Sequence, residues 1–161
     1  MVNSFNFTTL VANTPTSPLT GELLTGWGNT KGTSCCYKLS HGLNLSGYAI
    51  PARSHRRANH QTRIGGVLRY HLMVVDEVEK YLDDTLKWSY ENIKDNGSGG
   101  SRTQQEQINY LQGKCGVLLF WTDPYGLHVE LWNKNRMHQP GMSSQMFTIS
   151  KSVWLYETSV F

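Results

Sequence analysis

The sequence predicts an α+β domain, with helices early in the chain and antiparallel strands late. Cys36, Leu39 and Leu43 recur at i, i+3 and i+7, which is one face of a helix. Val75, Val78, Leu82 and Leu86 continue a second helical period to about Ile93. Beyond residue 115 the pattern changes. Val117–Trp121 is an unbroken apolar run, and His128–Trp132 follows it across a turn at Asp123-Pro124-Tyr125-Gly126, which predicts a β-hairpin. Helices followed by hairpin-linked strands define the α+β class.

Taken in order, Asn3–Thr30 reads mostly as loop, with a short helical stretch over Phe5–Val11, and it runs into a flexible segment, Gly26–Gly32. Ser34 is placed to cap the helix Cys35–Leu45, and Gly47 to end it in the left-handed conformation. Gly47–Gly66 is polar and basic. Tyr70–Val75 is either a strand or the lead-in to the Val75–Ile93 helix. Asn96–Ser101 (NGSGGS) is a loop, and a short helix covers Thr103–Leu111. Phe147–Tyr156 alternates as a last strand.

The 161 residues suit a single domain, 1–161, because neither side of the NGSGGS loop is long enough for an independent core. Apolar residues make up 39% and charged residues 17%, which excludes a disordered chain. Fifteen Lys and Arg against twelve Asp and Glu leave a net charge of +3, too weak a bias to argue for nucleic acid. No apolar run approaches the roughly 18 residues of a membrane helix, so no membrane partner is expected. Met1–Leu10 lacks a basic start, an apolar middle and a small-residue cleavage site, so no signal peptide is expected and synthesis is cytosolic. Three cysteines, two of them adjacent, do not make a disulfide framework.

Ser34-Cys35-Cys36 is the sharpest chemical feature. A thiol at a helix N-terminus meets the positive end of the macrodipole, which favours the thiolate nucleophile. Cys36 shares its face with Leu39 and Leu43 and should point into the core. Cys35 is rotated about 100° away and should open toward a cleft, unless both cysteines are simply small buried hydrophobes. A nucleophilic thiol needs a base. Among six histidines His128 is best placed, starting a strand just after a turn, with Glu130 on its own face and Val129 and Leu131 on the other. His41 faces elsewhere on the cysteine helix, and His55, His60, His71 and His138 read as solvated. Cys115 reads as core. No CxxC, HxxxH or HExxH pattern occurs, so neither a metal site nor a cofactor is expected. Within the basic stretch Arg53–Arg69, the arginines Arg53, Arg56 and Arg57 are candidates for a clamp on substrate carboxylates, the alternative being a solvated face.

These residues resemble a known family. Ser34–Ser40 (SCCYKLS), continued by Gly42-Leu43-Asn44, Ser46-Gly47 and Ile50-Pro51, resembles the nucleophile helix of the fourth family of type VI secretion amidase effectors. Phe7–Pro15 resembles its N-terminal segment, and Arg69–Leu72 with the helix after it resembles its second block. Gly116–Phe120 and His128–Asn133 resemble its histidine strand. The resemblance implies a small papain-like cysteine amidase fold, with the nucleophile helix packed on an antiparallel sheet. It also implies hydrolysis of peptidoglycan stem peptides between γ-D-glutamate and meso-diaminopimelate, with Cys35 as nucleophile and His128 as general base. Delivery by a type VI secretion apparatus into a recipient-cell periplasm, and a cognate immunity protein as partner, follow from the same resemblance. The family places an aspartate after the histidine, but no Asp follows Asp123 here. Gln139 is the nearest positional match for the third catalytic residue, with His138 and Asn133 as alternatives and Glu130 eligible if strand geometry allows it. Two other readings share this machinery: a cell-wall peptide-binding module that has lost catalysis, and a papain-like transamidase or deamidase.

Overall fold

The structure, a computed structural model, describes residues 2–16, 18–30, 32–52, 60–139 and 144–159. It divides into two compact units: a helical unit, Thr9–Lys87, and a sheet unit made of Met1–Thr8 and Trp88–Phe161. The first boundary falls inside helix α1 (Phe7–Asn13). Every strand pair in the described residues is antiparallel, so the mixed helix and antiparallel-sheet class matches expectation.

In the helical unit, α3 (Ser34–Leu45) presents Cys36, Leu39 and Leu43 as one buried stripe, as its period requires. Gly47, at φ 87°, ends it in the left-handed region, and the Tyr48 N–H donates to the Leu43 carbonyl at 2.9 Å. The cap differs from expectation. Thr33, not Ser34, is the N-cap, and its hydroxyl donates to the Met73 carbonyl at 3.1 Å rather than closing the first helical turn. The segment read as loop before it holds a helix, α2 (Gly21–Thr30). Gly26 serves packing: a Cβ there would lie 2.4 Å from the Tyr37 hydroxyl. Leu23 and Trp27 seat α2 on a core of Leu19, Tyr37 and Met73.

The polar stretch after α3 also hides structure. Strands β1 (His60–Ile64) and β2 (Val67–His71) form a hairpin through Gly65-Gly66, both at positive φ (58° and 80°), the backbone that a tight two-residue turn needs. His71 is not solvated as expected but fully buried. Its ring stacks on Tyr37 at 4.3 Å, its Nδ1 lies 2.9 Å from the Thr62 hydroxyl, and His41 lies parallel at 6.4 Å. Burial, reinforced by the neighbouring His41 and opposed by a backbone hydrogen bond with Arg69, lowers the His71 pKa from the ordinary 6.5 to about 4. The unfolded chain therefore binds a proton that the folded chain refuses. His71 stabilises the fold fully above pH 6.5, and that contribution, about 3 kcal/mol, is lost as pH falls to about 4. Urea unfolding between pH 7 and 4 should show this slope, flattened in His71→Gln; parallel slopes would remove His71 as its source.

Helix α4 (Val75–Lys80) passes into a π-helical turn, Tyr81–Thr85, instead of continuing to Ile93. The wider turn keeps adjacent Tyr81 and Leu82 both buried, and Lys87 at φ 56° then breaks the helix. Ile93 belongs to the sheet unit's core.

In the sheet unit, β3 (Glu91–Asn92), β4 (Lys114–Trp121), β5 (Gly126–Lys134), β6 (Arg136–Met137) and β7 (Ser152–Thr158) lie in the order β3-β7-β4-β5-β6. The predicted β4–β5 hairpin is present, with Phe120 opposite His128, and Cys115 is buried within β4. Helix α5 (Gln104–Leu111) starts at a capping box, Thr103 with Glu106, which explains why its boundary is readable. The tail is not one strand. Met146–Ile149 is a short helix, α6, that drives Phe147 into the core beside Phe120 (5.2 Å) and Trp132 (6.2 Å) before β7 begins.

Candidate active site

The cysteine side of the candidate site is the start of α3. Gly32 allows the chain to lie against Met73, since a Cβ there would fall 2.8–2.9 Å from Met73 atoms, and the Thr33 N–H donates to the Met73 carbonyl at 2.8 Å. This fixes where α3 begins. Cys35 and Cys36 then occupy the second and third helical positions, where main-chain N–H groups precede the first intrahelical acceptor. The two thiols differ sharply. Cys36 is fully buried, and burial, then the hydrogen bond with Cys35, raises its pKa well above the usual thiol value. Cys35 is half-buried, with Sγ 3.6 Å from the Thr33 hydroxyl. All three cysteines are thiols.

The histidine side is β5. Strand alternation turns His128 and Glu130 to one face, and both are buried, at 8% and 3% exposure. His128 Nε2 lies 3.5 Å from Glu130 Oε2. The other carboxylate oxygen, Oε1, accepts the Leu131 N–H at 2.8 Å and the Gln139 N–H at 3.3 Å. Gln139 thus meets this cluster through its main chain. Asn133 accepts from the Cys115 thiol at 3.9 Å, and the His138 N–H donates to the Leu131 carbonyl at 2.9 Å.

Cys35 belongs to the helical unit; His128, Glu130 and Gln139 belong to the sheet unit. Arg53, Arg56 and Arg57 lie outside the described residues. Of the remaining basic stretch, Arg63 donates to the Gly66 carbonyl at 2.8 Å and Arg69 to the Asn44 carbonyl at 3.2 Å, so both brace the hairpin. The residue type and face of Glu130 are plain in the sequence, but its two main-chain donors are not. Among the described residues there is no group of three or more His, Cys, Asp or Glu that could hold a metal ion, and no helix is long and apolar enough to cross a membrane.

No curated protein matches the chain in sequence. The effector Tae4 from Enterobacter cloacae is similar in structure, with a TM-score of 0.64 at 15% identity over 99% of this chain and 100% of that one. The Tae4–Tai4 effector–immunity complex from Salmonella Typhimurium gives a TM-score of 0.61 at 18% identity, again over 99% and 100% of the two chains. The Tae4–Tai4 complex from Enterobacter cloacae gives 0.61 at 18%, with the same coverage. At such identities the likeness speaks for the fold. The family described as type VI secretion system (T6SS), amidase effector protein 4 (Tae4), matches residues 32–156, a span holding both the cysteine helix and the histidine strand. With most of its length inside that match, the chain belongs to the Tae4 family of type VI secretion amidase effectors.

Proposed function

We propose that this effector is a papain-like peptidoglycan amidase, cleaving stem peptides between γ-D-glutamate and meso-diaminopimelate through a Cys35 thioester. The contrast between the two thiols at the start of α3 carries this reading: one is sealed in the core, and its neighbour is half-exposed at the positive helix end. Residues 1–161 are read as a single amidase domain. Cys35 acts as thiolate and His128 as imidazolium. Sulfur attacks the amide carbonyl, and the developing oxyanion is met by the Cys35 N–H. The C–N bond breaks as His128 delivers its proton to the leaving amine. Water then attacks the thioester, His128 takes a water proton, and the acid and the thiolate are released. No cofactor enters these steps. Arg53, Arg56 and Arg57 are suited to hold the stem peptide's carboxylates.

A type VI apparatus would carry the toxin to the periplasm of a recipient cell. Several solved relatives are effector–immunity complexes, which supports a cognate immunity protein as the partner here.

The test is digestion of purified sacculi under reducing conditions, with mass analysis of the released fragments. Fragments ending at γ-D-glutamate, with a new amine on diaminopimelate, are expected. Intact muropeptides would sink the assignment, and acyl transfer to an added amine would favour the transamidase reading.

A further inference from the structure

A thiol–imidazole pair works best when a third group fixes the imidazole's tautomer and supports its positive charge. Residue 139 is glutamine here, which carries no charge, and its main-chain N–H donates to Glu130 Oε1 at 3.3 Å. A buried carboxylate already lies beside the ring. Glu130 sits two residues after His128 on the same strand, and its Oε2 is within ion-pair distance of Nε2 at 3.5 Å. Its Oε1 is held by the N–H groups of Leu131 (2.8 Å) and Gln139 (3.3 Å). Those two bonds orient the carboxylate, so Oε2 faces the histidine. Any residue with an N–H at 139 would complete this clamp.

We propose that Glu130 is the positioning residue for His128, and that Gln139 supports its carboxylate through the main-chain N–H. The proposal rests on the reading of Cys35 and His128 as nucleophile and base. With Nε2–H directed at Glu130, proton exchange with the thiol falls to Nδ1. A purely structural glutamate, one that merely ties β5 to the segment after β6, would leave the ring's tautomer unchanged when replaced by its amide.

The experiment reads that tautomer by ¹⁵N NMR in Cys35→Ala protein, where no substrate or turnover is needed. Neutral His128 should carry its proton on Nε2; a proton on Nδ1 would overturn the proposal without any further variant. Adding Glu130→Gln keeps an oxygen for the two N–H donors but turns an amide donor toward Nε2, so the proton should move to Nδ1. Gln139→Ala should leave it on Nε2. In the Cys35 enzyme, Glu130→Gln is expected to lower kcat about 10²–10⁴-fold with KM within about threefold, while Gln139→Ala costs less than about tenfold. Glu130→Asp should keep the Nε2 proton and recover part of the rate. A tautomer that follows Gln139 and ignores Glu130 would refute the assignment. Failure of the wild type to cleave sacculi would instead count against the amidase reading, since the tautomer measurement stands apart from it.

Discussion

Cys35→Ala is expected to lower the rate of sacculus cleavage by about 10⁴–10⁶-fold, with no loss of folding, whereas Cys36→Ala keeps activity within about threefold. The two residues are chemically identical and adjacent, so the difference rests on geometry alone. Cys36 is fully buried with Leu39 and Leu43, and its burial opposes ionisation. Removing its sulfur leaves a small core cavity and should lower stability by about 1–2 kcal/mol. Cys35 is partly exposed. Native-state alkylation at pH 7 checks the same contrast without substrate. One label should enter the wild type and none should enter Cys35→Ala, because Cys36 and Cys115 are 0% and 1% exposed. Equal losses from both cysteine variants, or a label on Cys36, would defeat the assignment.

What the sequence made legible is local. The α3 stripe, the short helix after the NGSGGS loop, the left-handed Gly47 and the β4–β5 hairpin each announce themselves within a dozen residues, through periodicity or turn chemistry. The misread parts depend on distant partners. Gly26 and Gly28 look like breakers, yet α2 forms because Gly26 allows close approach to Tyr37 and Trp27 joins the core there. The β1–β2 hairpin is polar in sequence, and its buried members Thr62 and His71 are recognisable only once Tyr37 of α3 is stacked against them. The candidate site divides in the same way. Strand alternation alone put Glu130 on the face of His128. The N–H of Gln139 that steadies its carboxylate comes from nine residues further along, beyond the reach of any periodic pattern.

Gly116→Ala should be the most damaging single-methyl change in the sheet unit, at about 3 kcal/mol. Gly116 sits in β4, which is paired on both sides, with Trp132 of β5 and Glu157 of β7 as its partners. A Cβ there would lie 2.3 Å from the Tyr156 carbonyl oxygen and 3.0 Å from Glu157 Cα. Those are main-chain atoms of a paired strand, so relief requires moving β7 and losing ladder hydrogen bonds rather than rotating a side chain. β7 also carries buried Val153 and Leu155 of the core, so the shift spreads into packing. For a chain of this size about 3 kcal/mol corresponds to a fall in Tm of roughly 6–12 °C. Gly28→Ala provides the contrast: it lies in α2 with nothing within 4 Å of the added Cβ, and should raise stability by about 0.5–1 kcal/mol through helix propensity. Thermal melts of the two variants decide the point. A Gly116→Ala protein that melts within about 2 °C of the wild type would mean that β4 and β7 do not approach as closely as the structure has them.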